Sequence, residues 1–477
     1  MLLCVTAQSS GARVFRACLL LSLALGAGAC SVAPAYRHPA VATPVAWQNM
    51  PGSVSADWPA ADWWQGFGSA QLNDYIARAQ SSNDDIAAAV ARIREADAQA
   101  RIAGAALLPT LDGSASASRQ RQRTVTGGPA VTFDQYSPQL TASYELDFWG
   151  KNRETRNAAL FAAQASRYDR ETVALTVITS VAMTYFEVLE QHDRLQVARD
   201  DLANAQHVLS GLELEQSVGT ATALDVAQQA TTVATLNASI PPLAQQLQQN
   251  IDALAILVGQ MPESIDLGGG SLEQLTSPPI AAGLPSELLA RRPDVAQAEA
   301  LLKAANADIG VARAAYFPSI DLTASGGYAS SALGTLLLPQ SRVFALTAAV
   351  SESIFDAGAR RGQVEYSRAR YAELLSDYHK TVLTALGNVE DALVAVQQTS
   401  EQELRQQEAV DKARRAFEFS QLQMQAGTTN VLTVLNTETA LFTAQDTLVQ
   451  VKYQHLQSLV DLYRALGGGW RQSQVAE

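Results

Sequence analysis

Several things are scarce in this chain, and each scarcity removes a class of protein. Cysteine occurs three times, at Cys4, Cys18 and Cys30, so no disulfide framework can run through the rest of the sequence. Aromatic residues make up only 6%, and Ala, Gln and Leu dominate long stretches, which suits extended helices better than one compact core. Lys and Arg number 34 against 47 Asp and Glu, a formal net charge of -13, and no Lys/Arg-rich run occurs. Phosphate binding needs a clustered cationic face, so a nucleic-acid partner is excluded. The histidines, His38, His192, His207, His379 and His455, are scattered, with no HExxH, no cysteine–histidine ligand spacing and no nucleophile elbow. The glycine runs at Gly268 to Gly270 and Gly467 to Gly469 lack the strand-to-helix setting of a phosphate loop. The sequence therefore predicts no enzyme, no metal site and no cofactor.

What is present begins at the N-terminus. Arg13 and Arg16 precede the apolar run ACLLLSLALGAGAC, too short to span a bilayer as a helix and suited to a secretory signal over residues 1–29. The run ends in Ala27-Gly28-Ala29-Cys30, which resembles a bacterial lipoprotein processing site, with Ala27 in the place of the usual leucine. Cys30 then becomes the lipidated mature N-terminus, and Ser31 fits sorting to the outer membrane; plain signal cleavage after Ala29 is the other reading. Residues 30–68 are expected to be extended, and no other stretch reads as a transmembrane helix.

The chain repeats itself. Gly150 and Gly358, Gly219 and Gly427, Leu224 and Leu432, and Val226 and Val434 are each 208 positions apart. At the same offset Ile178, Val181, Tyr185 and Val188 fall on Leu386, Val389, Leu393 and Val396, whereas Pro109 and Pro318 are 209 apart. The reading is a tandem duplication, with halves at 69–265 and 284–470, a linker at 266–283 and a tail at 471–477. Proline is missing from 152–217 and 360–425, so each half carries a helix of roughly 100 Å at about 1.5 Å per residue. Leu375, Tyr378, Val382, Leu386, Val389, Leu393 and Val396 make a narrow seam for side-by-side helix packing, with Glu390, Gln397 and Gln398 on other faces. Pro241 and Pro242 are expected to bend or break the helix after the first turn, and to let one hairpin move more than the other.

Four stretches alternate with period two, at about 108–122, 134–149, 317–330 and 342–356. Leu140, Ala142, Tyr144, Leu146 and Phe148 alternate with polar neighbours, as do Ile320, Leu322 and Ala324, and then Phe344, Leu346, Ala348 and Val350. Glu352 falls on the apolar side and is read as lying beyond the lipid. Helices this long cannot fold back over the strands, so the apolar face needs lipid or another sheet. A membrane barrel must close, with about eight strands as its usual minimum, so four strands require several copies.

Longer motifs then resemble one family, the TolC-like outer membrane factors, in the lipoprotein branch (NodT-type) that serves multidrug efflux. The most specific is LPSELLARRPDVAQAEALLKAANADIGVARAAYFPSIDLTAS at 284–324; ADWWQGFGSAQLNDYIARA, LDFWGKNR at 146–153, SIFDAGARR at 353–361 and ALGGGW at 465–470 support it. The resemblance implies an α+β membrane protein: a homotrimer whose twelve strands, four per chain, form an outer-membrane β-barrel continued by a periplasmic α-helical barrel. It implies a periplasmic adaptor protein and an inner-membrane pump of the RND type as partners. The turns Val218-Gly219-Thr220 and Ala426-Gly427-Thr428 would be the periplasmic tips that meet the adaptor, both glycines ending helices in a left-handed conformation. Asp225 is expected to form an acidic constriction in threefold symmetry, with a pKa raised by like-charge repulsion, or else to be a solvated helix-start carboxylate. Thr433 and Asn436 stand where relatives can carry further acids. Trp63 and Trp64 are read as packing anchors near the barrel's waist. The function expected is an exit duct for small molecules; a type I protein-secretion duct and a lipid-anchored rod without a pore are the other readings.

Overall fold

The computed structural model describes residues 32–49, 58–123, 129–265, 269–279 and 282–471. Cys30 lies outside them. The labelled elements, in chain order, are α1 (Ala70–Ser82), α2 (Asp84–Ala105), β1 (Thr110–Gln122), β2 (Val131–Glu145), α3 (Lys151–Ser217) and α4 (Ala223–Leu257), then α5 (Pro293–Ala314), β3 (Ser319–Tyr328), β4 (Arg342–Ser351), α6 (Ala359–Gln425) and α7 (Val431–Ala465). The duplication is visible in their lengths: α2 and α5 have 22 residues each, α3 and α6 have 67, and α4 and α7 have 35.

The chain divides into two compact units. The first (Met1–Ala40, Ile93–Ala165 and Ala298–Tyr378) holds the sheet, whose four strands pair in chain order and are all antiparallel. Its register gathers apolar residues from all four strands on one face, because directly opposed residues of antiparallel strands share a face, although Val131, Phe133 and Val343 fall on the other. Leu111 pairs with Ala142, Ala142 with Ala324 and Ala324 with Leu346; likewise Tyr144 pairs with Leu322 and Leu322 with Ala348. The other face carries Ser116 opposite Ser137, with hydroxyls 2.8 Å apart, and Thr323 opposite Thr347. The apolar face lies open: Phe344 is 85% exposed and Leu346 79%. β1 and β4 each have one edge with no strand on it among the described residues.

Two strand ends differ from the periodicity. β2 stops at Glu145 because Asp147 turns away to cap α3, accepting from the backbone N–H groups of Asn152 and Arg153, both at 2.9 Å, and from Arg153 Nε at 3.2 Å. Asp356 does the same for α6, accepting from the N–H of Gly358 at 2.9 Å and of Arg360 at 3.2 Å. β4 ends at Ser351, so Glu352 stands past the strand and pairs with Arg360.

The second unit (Val41–Arg92, Ser166–Gln297 and His379–Glu477) is helical. Trp63 stacks on Tyr463 with ring centroids 4.8 Å apart, and Phe67 meets Phe186 edge-on at 5.0 Å. Burying each such aromatic stabilises by about 1.5–3 kcal/mol. Trp63 is thus an anchor of the helical unit and not of the sheet. Within this unit the seam on α6 is buried at Val382, Val389, Leu393 and Val396. Contrary to the expectation that no stretch beyond the signal is of this kind, one stretch of α3 is long and apolar enough to cross a membrane by length and composition; more than half of it is buried in protein. Pro241 and Pro242 sit inside α4 without breaking it. The two carbonyls four residues upstream that lose their donors belong to Asn237 and Ala238, which are exposed, so water can serve them.

Candidate functional site: the two helical tips

The two glycine turns have one geometry. Gly219 has φ +83° and Gly427 φ +68°, a conformation that side chains disfavour. At the first tip the N–H of Gly219 donates to Gln216 O at 3.0 Å and that of Thr220 to Glu215 O at 2.9 Å. At the second, Gly427 donates to Met424 O at 2.9 Å and Thr428 to Gln423 O at 2.9 Å. This nested pair is a Schellman closure, and it satisfies carbonyls that a helix end leaves open. Each threonine adds its hydroxyl to the same carbonyl, Thr220 Oγ1 at 2.9 Å and Thr428 Oγ1 at 3.1 Å. Val218, Gly219, Thr220, Ala426, Gly427 and Thr428 are all exposed, Val218 to 70%. Behind them Leu212, Val431 and Leu435 pack with Val208, Val226 and Met424, joining the ends of both hairpins in one apolar cluster.

The returning helices start differently. Thr222 caps α4 in a reciprocal box: its hydroxyl accepts from the N–H of Asp225 at 3.2 Å, while Asp225 Oδ2 accepts from the Thr222 N–H at 2.9 Å and its hydroxyl at 2.7 Å. Those bonds, the side-chain one foremost, hold the Asp225 carboxyl below the ordinary aspartate range. Within the protomer the shift is therefore opposite to the one expected, because the capping donors favour the charged form. On α7 the cap is Asn430, whose Oδ1 accepts from the N–H of Thr433 at 3.2 Å and its hydroxyl at 3.0 Å. Asn436 is exposed one turn further on. Thr222 and Asn430 were not singled out in the sequence, although the Thr-x-x-Asp spacing at 222–225 is a recognisable capping signature.

A four-stranded sheet with an open apolar face and two capped helical hairpins in one chain have known counterparts. The profile of the family described as "Outer membrane efflux protein" matches residues 75–260 and 284–468. This chain belongs to the outer membrane efflux protein family. It is 41% identical over 463 residues to the pyoverdine export outer membrane protein OpmQ of Pseudomonas aeruginosa, covering 95% of this chain and 96% of that one. It is 33% identical to the toluene efflux pump outer membrane protein TtgC of Pseudomonas putida, covering 94% and 96%. The Campylobacter jejuni CmeC outer membrane channel superposes with a TM-score of 0.86 at 26% identity, over 93% of this chain and 96% of that one. The fold is thus that of outer-membrane efflux channels: strands of a membrane β-barrel continued by long helical hairpins. As an outer membrane efflux protein the chain is an outer-membrane channel, and small-molecule efflux takes precedence over the secretion-duct and rod readings.

Proposed function

We propose that three copies of this chain form the exit duct of a tripartite assembly, joined through a periplasmic adaptor to an inner-membrane pump of the RND type. The observation that carries the reading is the sheet: an apolar face open to its surroundings, with one edge on β1 and one on β4 bare among the described residues. In hydrocarbon each unpaired backbone group costs several kcal/mol, so bare edges must meet those of sister copies. Four strands from each of three copies give a twelve-stranded wall. The tips at Val218–Thr220 and Ala426–Thr428 are the surface offered to the adaptor, and their exposure together with the shared apolar cluster behind them supports this. Asp225, repeated three times around the axis, supplies a cation-favouring ring, with Thr433 and Asn436 as neutral members of the constriction. Lipid on Cys30 tethers the channel to the outer membrane. The proposed cargo is a secreted metabolite of the kind for which the 41%-identical relative is named, a pyoverdine.

The test is conductance of the purified full-length protein in a planar bilayer. Discrete channel events are expected, with a cation preference that Asp225→Ala weakens. A protein that is monomeric and passes no current would overturn the duct, and unchanged permeability ratios in D225A would remove the aspartate ring. For cargo, deleting the gene should lower the secreted metabolite in the medium and raise it inside the cell.

A further inference from the structure

Two polar side chains meet in the interior of the helical unit, one from each repeat. Gln229 on α4 and Glu438 on α7 are both 0% exposed. Gln229 Nε2 donates to the Ala205 carbonyl of α3 at 2.9 Å, which fixes the amide's orientation, since a flip would set two oxygens against each other. The same nitrogen donates to Glu438 Oε2 at 3.4 Å. Gln229 Oε1 and Glu438 Oε1 are then left without a hydrogen-bond partner, both buried.

An ionised carboxylate only accepts. As an anion, Glu438 would be buried with one long bond, beside an amide oxygen that also lacks a donor, a costly arrangement. The charged groups around the pair make it worse. On α3, Asp201 is 5% exposed, and Asp200, Glu438 and Asp446 all act on it; neither Glu438 nor Asp201 is in an ion pair among the described residues. Arg194 of α3 is engaged by Asp446 and Glu190. α6 meets this stretch of α7 with Val410 and Phe417, packed against Val434 and Leu441. A proton on Glu438 converts it into a donor and supplies what the amide oxygen lacks, closing a two-bond acid–amide pair.

We propose that Glu438 carries a proton at neutral pH and that its pair with Gln229 is a proton-operated latch between the returning helices of the two repeats, released when Glu438 ionises. Release sends the proton to solvent and leaves a carboxylate that needs water, which it can reach only if α4 and α7 part. Burial raises the Glu438 pKa, with the Gln229 hydrogen bond opposing, and pushes Asp201 up to about 7 through burial first and its acidic neighbours second. With a raised folded-state value, the latch is fully present below the ordinary glutamate pKa and is lost as pH rises through the folded one. Gln229 and Glu438 lie six and seven residues from the starts of α4 and α7, about 10 Å along each helix, so the loosening reaches the tips.

The latch deepens the exit-duct reading, and its test separates the two. Infrared difference spectra at pH 7 of the full-length Asp201→Asn protein, which lacks the other raised carboxyl beside the pair, should show a protonated-carboxyl band that adding Glu438→Gln abolishes. If E438Q instead removes only carboxylate absorption, the proton is not there and the proposal fails. In bilayers, the ratio of open to closed channels should rise about tenfold per pH unit for one released proton and lose that slope in E438Q. A wild-type channel whose gating ignores pH overturns the latch. Absence of current at any pH counts against the duct, while the infrared arm still decides the proton.

Discussion

Arg194 of α3 donates from Nε to one carboxylate oxygen of Asp446 on α7 at 2.7 Å, and from Nη2 to the other at 3.3 Å. The fork ties the outgoing helix of the first repeat to the returning helix of the second, and Gln450 Nε2 holds the same carboxylate at 2.6 Å. Charge-assisted bidentate pairs are stronger than neutral bonds, and the Arg194 side chain is only 23% exposed. Arg194→Leu should therefore destabilise the helical unit by about 1–3 kcal/mol, read as a lower thermal midpoint of the detergent-solubilised protein. Arg194→Lys should recover part of the loss, because a lysine keeps the charge and loses the fork.

The cap on α4 should be sensitive to acid. Thr222→Ala removes a hydroxyl bonded to both the backbone and the side chain of Asp225, at a cost of about 1 kcal/mol. Because the Asp225 pKa is depressed, its contribution is present above the ordinary aspartate value and is lost as pH falls through the folded one. Hydrogen exchange at the first tip, corrected for intrinsic rates, should accelerate on acidification in the wild type and already be fast in T222A. The second tip, capped by the uncharged Asn430, should show no such acceleration over the same acid range, in which the Glu438 proton is already in place.

At the turns themselves, Gly219→Ala and Gly427→Ala should each cost about 1 kcal/mol from the left-handed backbone alone. A Cβ at either site meets nothing within 4 Å, so no clash adds to it. Asn tolerates this conformation better, and Gly427→Asn should recover most of the stability. If adaptor binding falls in G427A and returns in G427N, turn geometry is what the adaptor reads; if both lose binding, the adaptor needs the bare glycine surface.

Neighbouring glycines in β3 should behave oppositely. A Cβ on Gly327 would run into the Pro138 carbonyl and lie 2.7 Å from Gln139 Cα on the paired strand, whereas one on Gly326 meets nothing within 4 Å. Gly327→Ala should force β2 and β3 apart and lower the fraction of trimer in the detergent-solubilised protein, read by light scattering, while Gly326→Ala should leave that fraction unchanged. Equal behaviour of the two would mean that the β2–β3 junction is more yielding than its register suggests.

The periodic features of the fold were legible because each depends on a local pattern. Leu322, Phe344 and Leu346 announce their common face by alternation alone, and Gly219 and Gly427 announce the turns by being the residues a helix end favours. The end of β2 was not legible: Phe148 continues the alternation, and only the capping of α3 by Asp147 shows that the chain has already turned. Pro241 and Pro242 misled for a related reason, since their cost depends on whether the freed carbonyls reach water. Gln229 and Glu438 were invisible because their meeting depends on how two helices rotate about their axes, and no spacing along one chain records that.

The matched lengths of the helices restrict how this molecule can be altered. α3 and α6 are both 67 residues and α4 and α7 both 35. Deleting one residue from α3 alone would shorten a single spoke by about 1.5 Å and turn everything beyond it by about 100°. Shorter or taller relatives of this channel should therefore differ by paired insertions of whole seam repeats, one in each half, so that the rim stays level.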